Sequence, residues 1–249
     1  LGFAAIVAAA LLFRQGFFDP ARISRASGNL AIFTKDLFPP EWGSLPLLGA
    51  AMLETIEIAF LGTILGFGLS LPLAFFASRS LFGPAVSLTA RFLVGGVRTV
   101  PSILWGVIFV VALGLGPAAG TVAVACYTVG YLAKLFYECF EGVDAEVVEA
   151  TRGTGANRVQ LFFFAVLPEA ANTVLSQLLF MFEYNIRAST IMGFVGAGGI
   201  GYYMMGYIQM LQYRNLMTAV LLTFAVVMAI DRLSLIVRSR IGHIVSARN

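Results

Sequence analysis

Histidine, lysine and cysteine are almost missing from this chain, and each shortage closes off some chemistry. The single histidine, His243, sits in the C-terminal tail, which argues against a histidine-based metal centre. Lysine occurs only as Lys35 and Lys134, so no G-x-x-x-x-G-K-[ST] loop exists and the chain does not hold ATP in that way. Cys126 and Cys139 lie in or beside one expected span without metal-site spacing, and read as unpaired structural thiols. Charge is scarce too, at 12% of residues with a net charge of +3, and nothing suggests a nucleic-acid partner. What fills the space is apolar: 59% of the chain is hydrophobic and the mean hydropathy is +0.89. That composition belongs in a lipid bilayer. Runs near the ~20 residues that cross ~30 Å of hydrocarbon as helix, without alternating ten-residue strands, imply an all-α, polytopic helical bundle rather than a barrel.

Six spans are expected. Leu1 to Phe13 is read as the remnant of a clipped first helix, followed by an aqueous stretch to Pro46 with interfacial pieces near Phe17 and Trp42. The second span covers Leu48 to Ala77, with Pro72 bending its inner end. A loop from Ser78 to Arg91 leads to a third span, Phe92 to Leu115, and a fourth runs from Ala118 to Phe140. The polar stretch from Cys139 to Pro168 precedes a fifth span that continues to Tyr184, and the last covers Leu216 to Val237. The terminal cluster Asp231, Arg232, Arg238, Arg240 and Arg248 marks the cytoplasmic side, which places the 78–91 and 139–168 loops there too. The expected division is 1–46 for the first helix and an extracytoplasmic loop, 47–240 for the core, and 241–249 for a cytoplasmic tail.

Several polar groups interrupt the apolar runs. Glu54 and Glu57 stand about one helical turn apart, either as a cation or proton site or as carboxylates solvated or capped near the outer interface. Gly62 and Gly66 form a small-xxx-small pair that admits a close helix. Arg98 and Pro101, in GGVRTVPSILWG, suggest a polar cavity facing an anion or a carboxylate; the alternative is an arginine snorkelling to the interface. Lys134 and Glu138 suit a local pair. Glu183 and Arg187 share that spacing, so Arg187 either favours an anion or is neutralised by Glu183. Gly193, Gly196, Gly198, Gly199 and Gly201 oppose a stable helix and predict broken or re-entrant backbone lining a cavity. The string from Gly196 to Gly201 matches G-x-G-x-x-G, but no strand precedes it and no acidic residue follows at the required distance, so it is not read as a dinucleotide site.

From Glu149 the chain reads EATRGTGANRVQLFFFAVLP. This resembles the signature of ABC importer permeases, E-A-A, three residues, G, nine residues, I-x-L-P. Glu149, Ala150, Gly155, Leu167 and Pro168 fit, while Thr151 replaces the second alanine and Ala165 the isoleucine. RTVPSILWG from Arg98 and NIRASTIMGFVGAGGIG from Asn185 are similar to the phosphonate-type permeases and more distantly to the methionine type.

The resemblance implies a type I importer permease fold in a bacterial inner membrane, a homodimer with the pathway at its two-fold axis, and two ATP-binding subunits. An extracytoplasmic substrate-binding protein would dock on the outer face. ATP and Mg would be bound by the partner subunits, with no cofactor and no catalysis in this chain. Docking is expected on Ala145, Glu146, Glu149, Ala150, Gly153, Gly155 and Arg158, up to Pro168. Arg98, Pro101 and Arg187 are expected along the route and Gly193 to Gly201 at a gate. The implied cargo is a small phosphorus oxyanion such as phosphonate or phosphite. Two other readings stay open: a permease for another solute such as methionine, and an ion-coupled secondary transporter using Glu54 and Glu57.

Overall fold

The computed structural model describes residues 2–246, with side chains for residues 2–238, so Leu1, Arg248 and the side chains of Arg240 and His243 lie outside it. Among the described residues there is helix and turn but no strand. The first helix, α1 (Gly2–Arg14), buries no residue and at 13 residues is shorter than a full crossing.

The expected aqueous stretch contains an 18-residue helix, α2 (Pro20–Leu37). Asp19 caps it by accepting from the Ala21 N–H at 3.0 Å, and Pro20 sits where a missing N–H costs nothing. Phe38-Pro39-Pro40 ends it, because a residue before proline is driven out of the α region.

The second span is α3 (Leu45–Ala77), which runs unbroken through Pro72. The third span is not one helix. The 78–91 loop is short, because α4 (Pro84–Thr99) already begins inside it. α5 (Ser102–Leu113) then leaves at 83° to α4. The cause is local: Val100, preceding Pro101, is extended at φ −77° and ψ 120°, and Pro101 caps α5 instead of kinking a continuous rod.

α6 (Pro117–Glu141) crosses as expected. The polar stretch folds into α7 (Ala145–Gly153) and the single turn α8 (Arg158–Leu161). A π-helical turn over Phe162–Val166 joins α8 to α9 (Leu167–Gly193), making one apolar stretch of 36 residues. The wider turn sits just before Pro168, where an ordinary α-turn would bring the proline ring against the carbonyl four residues back. The fifth span therefore continues nine residues beyond Tyr184. α10 (Gly199–Gln209) shows that the glycine-rich run breaks only over 194–198 and then resumes as helix. α11 (Tyr213–Ser246) carries helix into the segment expected as a tail. Of six expected spans, four are single long apolar stretches, one is the bent α4–α5 pair, and the first is the short α1.

The core is built by α3, α6 and α9. Gly62 and Gly66 let α3 lie against α6 so closely that a Cβ on either would stand 2.5 Å from Val124 or Thr128. Asn185, fully buried, ties all three helices, its amide donating to Thr63 Oγ1 and Thr128 Oγ1 at 2.8 Å each. In hydrocarbon such interhelical bonds contribute roughly 0.6–2 kcal/mol each.

Candidate functional site

At one end of the bundle, α7 is an amphipathic ridge with one anchor. Only Val148 is buried, in the cluster that holds Leu161, Phe162 and Phe140. Ala145, Glu146, Glu149, Ala150, Gly153, Gly155 and Arg158 all face outward. Asp144 caps the helix by accepting from the Glu146 N–H at 3.0 Å, Glu146 stands in its first turn and Arg152 in its last, the arrangement that suits the helix dipole. Gly155 reverses the chain at φ +83°, a conformation that costs an L side chain roughly 1–2 kcal/mol. Asn157 and Gln160 then close a reciprocal capping box at 2.9 Å in both directions, which restarts the helix towards α9.

The ridge is clamped to the α3–α4 turn. Arg152 donates to the Ser80 carbonyl, and Arg158 lies over the Phe82 ring at 5.1 Å. Glu141, ending α6, pairs with Arg91 and accepts from the Arg79 N–H at 2.6 Å. Arg91 also donates to the Ala77 carbonyl at 2.9 Å and covers Tyr137 at 4.3 Å. Two surface depressions flank the ridge: one of about 370 Å³ lined by Arg79, Phe82, Arg152 and Arg158, another of about 400 Å³ lined by Thr151, Gly155 and Phe164.

The glycine segment lies at the opposite end and is packed, with Gly193, Gly196, Gly198, Gly199 and Gly201 all buried. A Cβ on Gly201 would overlap the Thr190 carbonyl, and one on Gly193 would meet Gly198 and Gly201 backbone at under 3 Å. Gly196 accepts from the Gly116 N–H at 2.9 Å and borders a cavity of about 490 Å³ with Phe194, Tyr202 and Tyr203. α3 pins this segment from below: Glu54 Oε1 accepts from the Gly199 N–H at 2.9 Å and Thr55 Oγ1 from Ile200 at 2.8 Å. Glu54 thus caps α10, while Glu57 faces outward without an ion pair among the described residues.

The arginines differ. Arg187 bridges Glu183 and Asp231 at 3.3 Å each, and Glu183 also takes Arg238 at 3.0 Å, so two carboxylates and two guanidiniums balance. Arg98, at the end of α4, is exposed, lies over the Tyr131 ring at 5.3 Å, and has no carboxylate partner among the described residues. Lys134 and Glu138 pair locally at 3.3 Å. Sequence reading left Glu54 open between an ion site and a solvated or capped carboxylate, and it missed the Asn185 junction and the Arg91–Glu141 clamp, whose partners lie 50 to 122 residues apart and leave no local signal.

The family described as binding-protein-dependent transport system inner membrane component matches residues 66–243. Among curated relatives, the phosphate-import permease protein PhnE of Mycolicibacterium smegmatis is 39% identical over 215 residues, covering 86% of this chain and 40% of that one. The phosphite transport system permease protein PtxC of Stutzerimonas stutzeri is 34% identical over 224 residues, covering 90% of this chain and 82% of that one. Among solved structures, an inward-facing MetNI methionine ABC transporter superposes with a TM-score of 0.71 at 21% identity, over 81% of this chain and 99% of that one. At that identity the likeness speaks for the fold.

Proposed function

The chain belongs to the binding-protein-dependent transport system inner membrane components, and from that premise we propose that it is the permease subunit of an ABC importer for a small phosphorus oxyanion. The observation that carries the coupling half is the α7 ridge, held by one buried residue and turned by Gly155 at φ +83° at the place the family signature requires a glycine. A ridge clamped to α3, α4 and α6 passes a push from a soluble ATPase to the whole bundle as one body.

Cargo rests on the relatives, named for phosphate and phosphite, against a methionine transporter that shares only the fold. The assembly proposed is two copies of this chain, two ATP-binding subunits that hold ATP and Mg, and a substrate-binding protein on the outer face. Ala145, Glu146, Glu149, Ala150, Gly153, Gly155 and Arg158 dock the ATPase, and Pro168 with its π-turn joins the ridge to α9. The packed Gly193–Gly201 segment, hinged at Gly196 and Gly198, serves as the outer gate, and Pro101 fixes the elbow that presents Arg98 to the route. Because Glu54 is engaged in capping α10, the ion-coupled reading loses one of the two carboxylates it needs.

Reconstitution of the chain with its ATPase and binding protein tests the proposal. Binding-protein-dependent, ATP-driven uptake of phosphate, phosphite or methylphosphonate, unaffected by excess methionine, is the expected result. Uptake of methionine alone, or uptake without ATP under an ion gradient, would overturn it. Glu149→Lys should abolish ATPase co-purification while leaving the chain in the membrane.

A further inference from the structure

Arg98 does not sit where an arginine reaches the aqueous interface. Its backbone packs on Gly130 of α6, where a Cβ would come within 3.1 Å of it, and its guanidinium lies over Tyr131. Tyr131 is fourteen residues after Pro117 and ten before Glu141, so it lies about 21 Å from the outer and about 15 Å from the inner end of α6. That is mid-depth in a ~30 Å hydrocarbon layer. A charged side chain without a counter-ion at that depth costs several kcal/mol against lipid, so the exposed face of α4 that carries it looks onto water.

The neighbours are tyrosines. Tyr131 packs on Tyr127 with ring centroids 4.6 Å apart, and Tyr127 stacks on Tyr184 of α9 at 5.8 Å and 18°. Below them on the same face of α6, Lys134 and Glu138 continue a polar stripe to the cytoplasmic end. Arg187, by contrast, is already balanced by Glu183 and Asp231. One guanidinium without a carboxylate partner among the described residues, lying over the Tyr131 ring and beside the bend between α4 and α5, is a site for a tetrahedral oxyanion.

Resting on the importer reading above, we propose that Arg98, seated on Tyr131, forms a mid-membrane binding subsite for a phosphorus oxyanion on its way to the cytoplasm. Planar, bidentate guanidinium donors fit two oxygens of such an anion, and the neutral Tyr131 beside them adds no charge that would trap it.

The test uses the complete complex in proteoliposomes, with inorganic phosphate and phosphite as probes. Arg98→Gln should lower uptake about tenfold or more, the size of a lost charge-assisted hydrogen bond, while binding-protein-stimulated ATP hydrolysis continues. Arg98→Lys should recover part of that uptake, and Tyr131→Phe should lower uptake per ATP hydrolysed. Wild-type uptake by Arg98→Gln, or parallel loss of uptake and ATP hydrolysis in both Arg98 variants, would overturn the subsite. A wild-type complex that moves neither probe would instead remove the cargo reading on which it rests. Independently of assembly in those variants, Gly95→Cys in a background with Cys126 and Cys139 replaced by serine reports on the same face. Gly95 is three residues before Arg98 and its Cβ position is open. Labelling by a charged, membrane-impermeant thiol reagent supports a wet face, and failure to label overturns it.

Discussion

At the residue scale, Glu54 is the position where the structure decides between two chemistries. A carboxylate in a membrane helix suggests ion transport, but this one accepts from the Gly199 N–H and closes the N-terminus of α10. Glu54→Ala should therefore lower the thermal stability of the purified complex by about 1 kcal/mol, the usual cost of losing an N-terminal cap, and Glu54→Gln should keep most of it. Equal melting of Glu54→Ala and wild type would show the cap to be dispensable. Gly155→Val is a second case, since the left-handed backbone there strains any β-carbon by roughly 1–2 kcal/mol. The expected readout is reduced ATPase co-purification with membrane insertion intact. The value of Gly155 could be seen in the sequence, because its spacing from Glu149 and Pro168 is fixed by a local helix–turn–helix. The group that Glu54 caps could not, because Gly199 is 145 residues away, and the sequence left an ion site and a solvated or capped carboxylate both open.

At the element scale, the long apolar runs named their own helices, and α3, α6, α9 and α11 lie where hydropathy put them. The third span misled for a physical reason: hydropathy sums over a window and does not register that Pro101 forces Val100 out of the helix, turning one rod into an 83° elbow. α2 hid for the opposite reason, since its polar composition averages out even though Asp19 and Pro20 mark a helix start. The small-residue pair in α3 was legible and marks a real close approach. Gly66→Leu should prevent α3 and α6 from meeting and abolish recovery of folded protein, whereas Gly68→Leu, two residues on with no atom within 4 Å of its Cβ position, should be tolerated. Comparable yields from the two would place the α3–α6 contact elsewhere.

At the scale of the whole molecule, the bundle has a clamped end at α7, a polar junction at its centre and a packed glycine segment at the other end. The ridge was readable from sequence as a motif, but its ties to Ser80 and Phe82, in a turn that Glu141 holds through Arg79 and Arg91, emerge only when the α3–α4 turn folds onto it. In the coupling role proposed above, those ties would carry a push on α7 into the bundle rather than into one loop. The quartet of Glu183, Arg187, Asp231 and Arg238 has a different consequence. Glu183 and Arg187 flank Asn185, whose amide reaches Thr128 near the middle of α6, so in the proposed importer this paired set would sit within the electric field of an energised membrane. A single charge crossing that field exchanges about 2.3 kcal/mol per 100 mV, but a set that sums to zero and travels together exchanges nothing. Asp231→Asn would leave one positive charge uncovered, and the rate of ATP hydrolysis in proteoliposomes should then follow an imposed potassium diffusion potential more steeply than in wild type. An identical voltage response in both would mean that the quartet stays still while the rest of the molecule moves. If the steeper response is seen, the quartet is electrical insulation, letting ATP turn the machine at the same rate in a charged cell and a depolarised one.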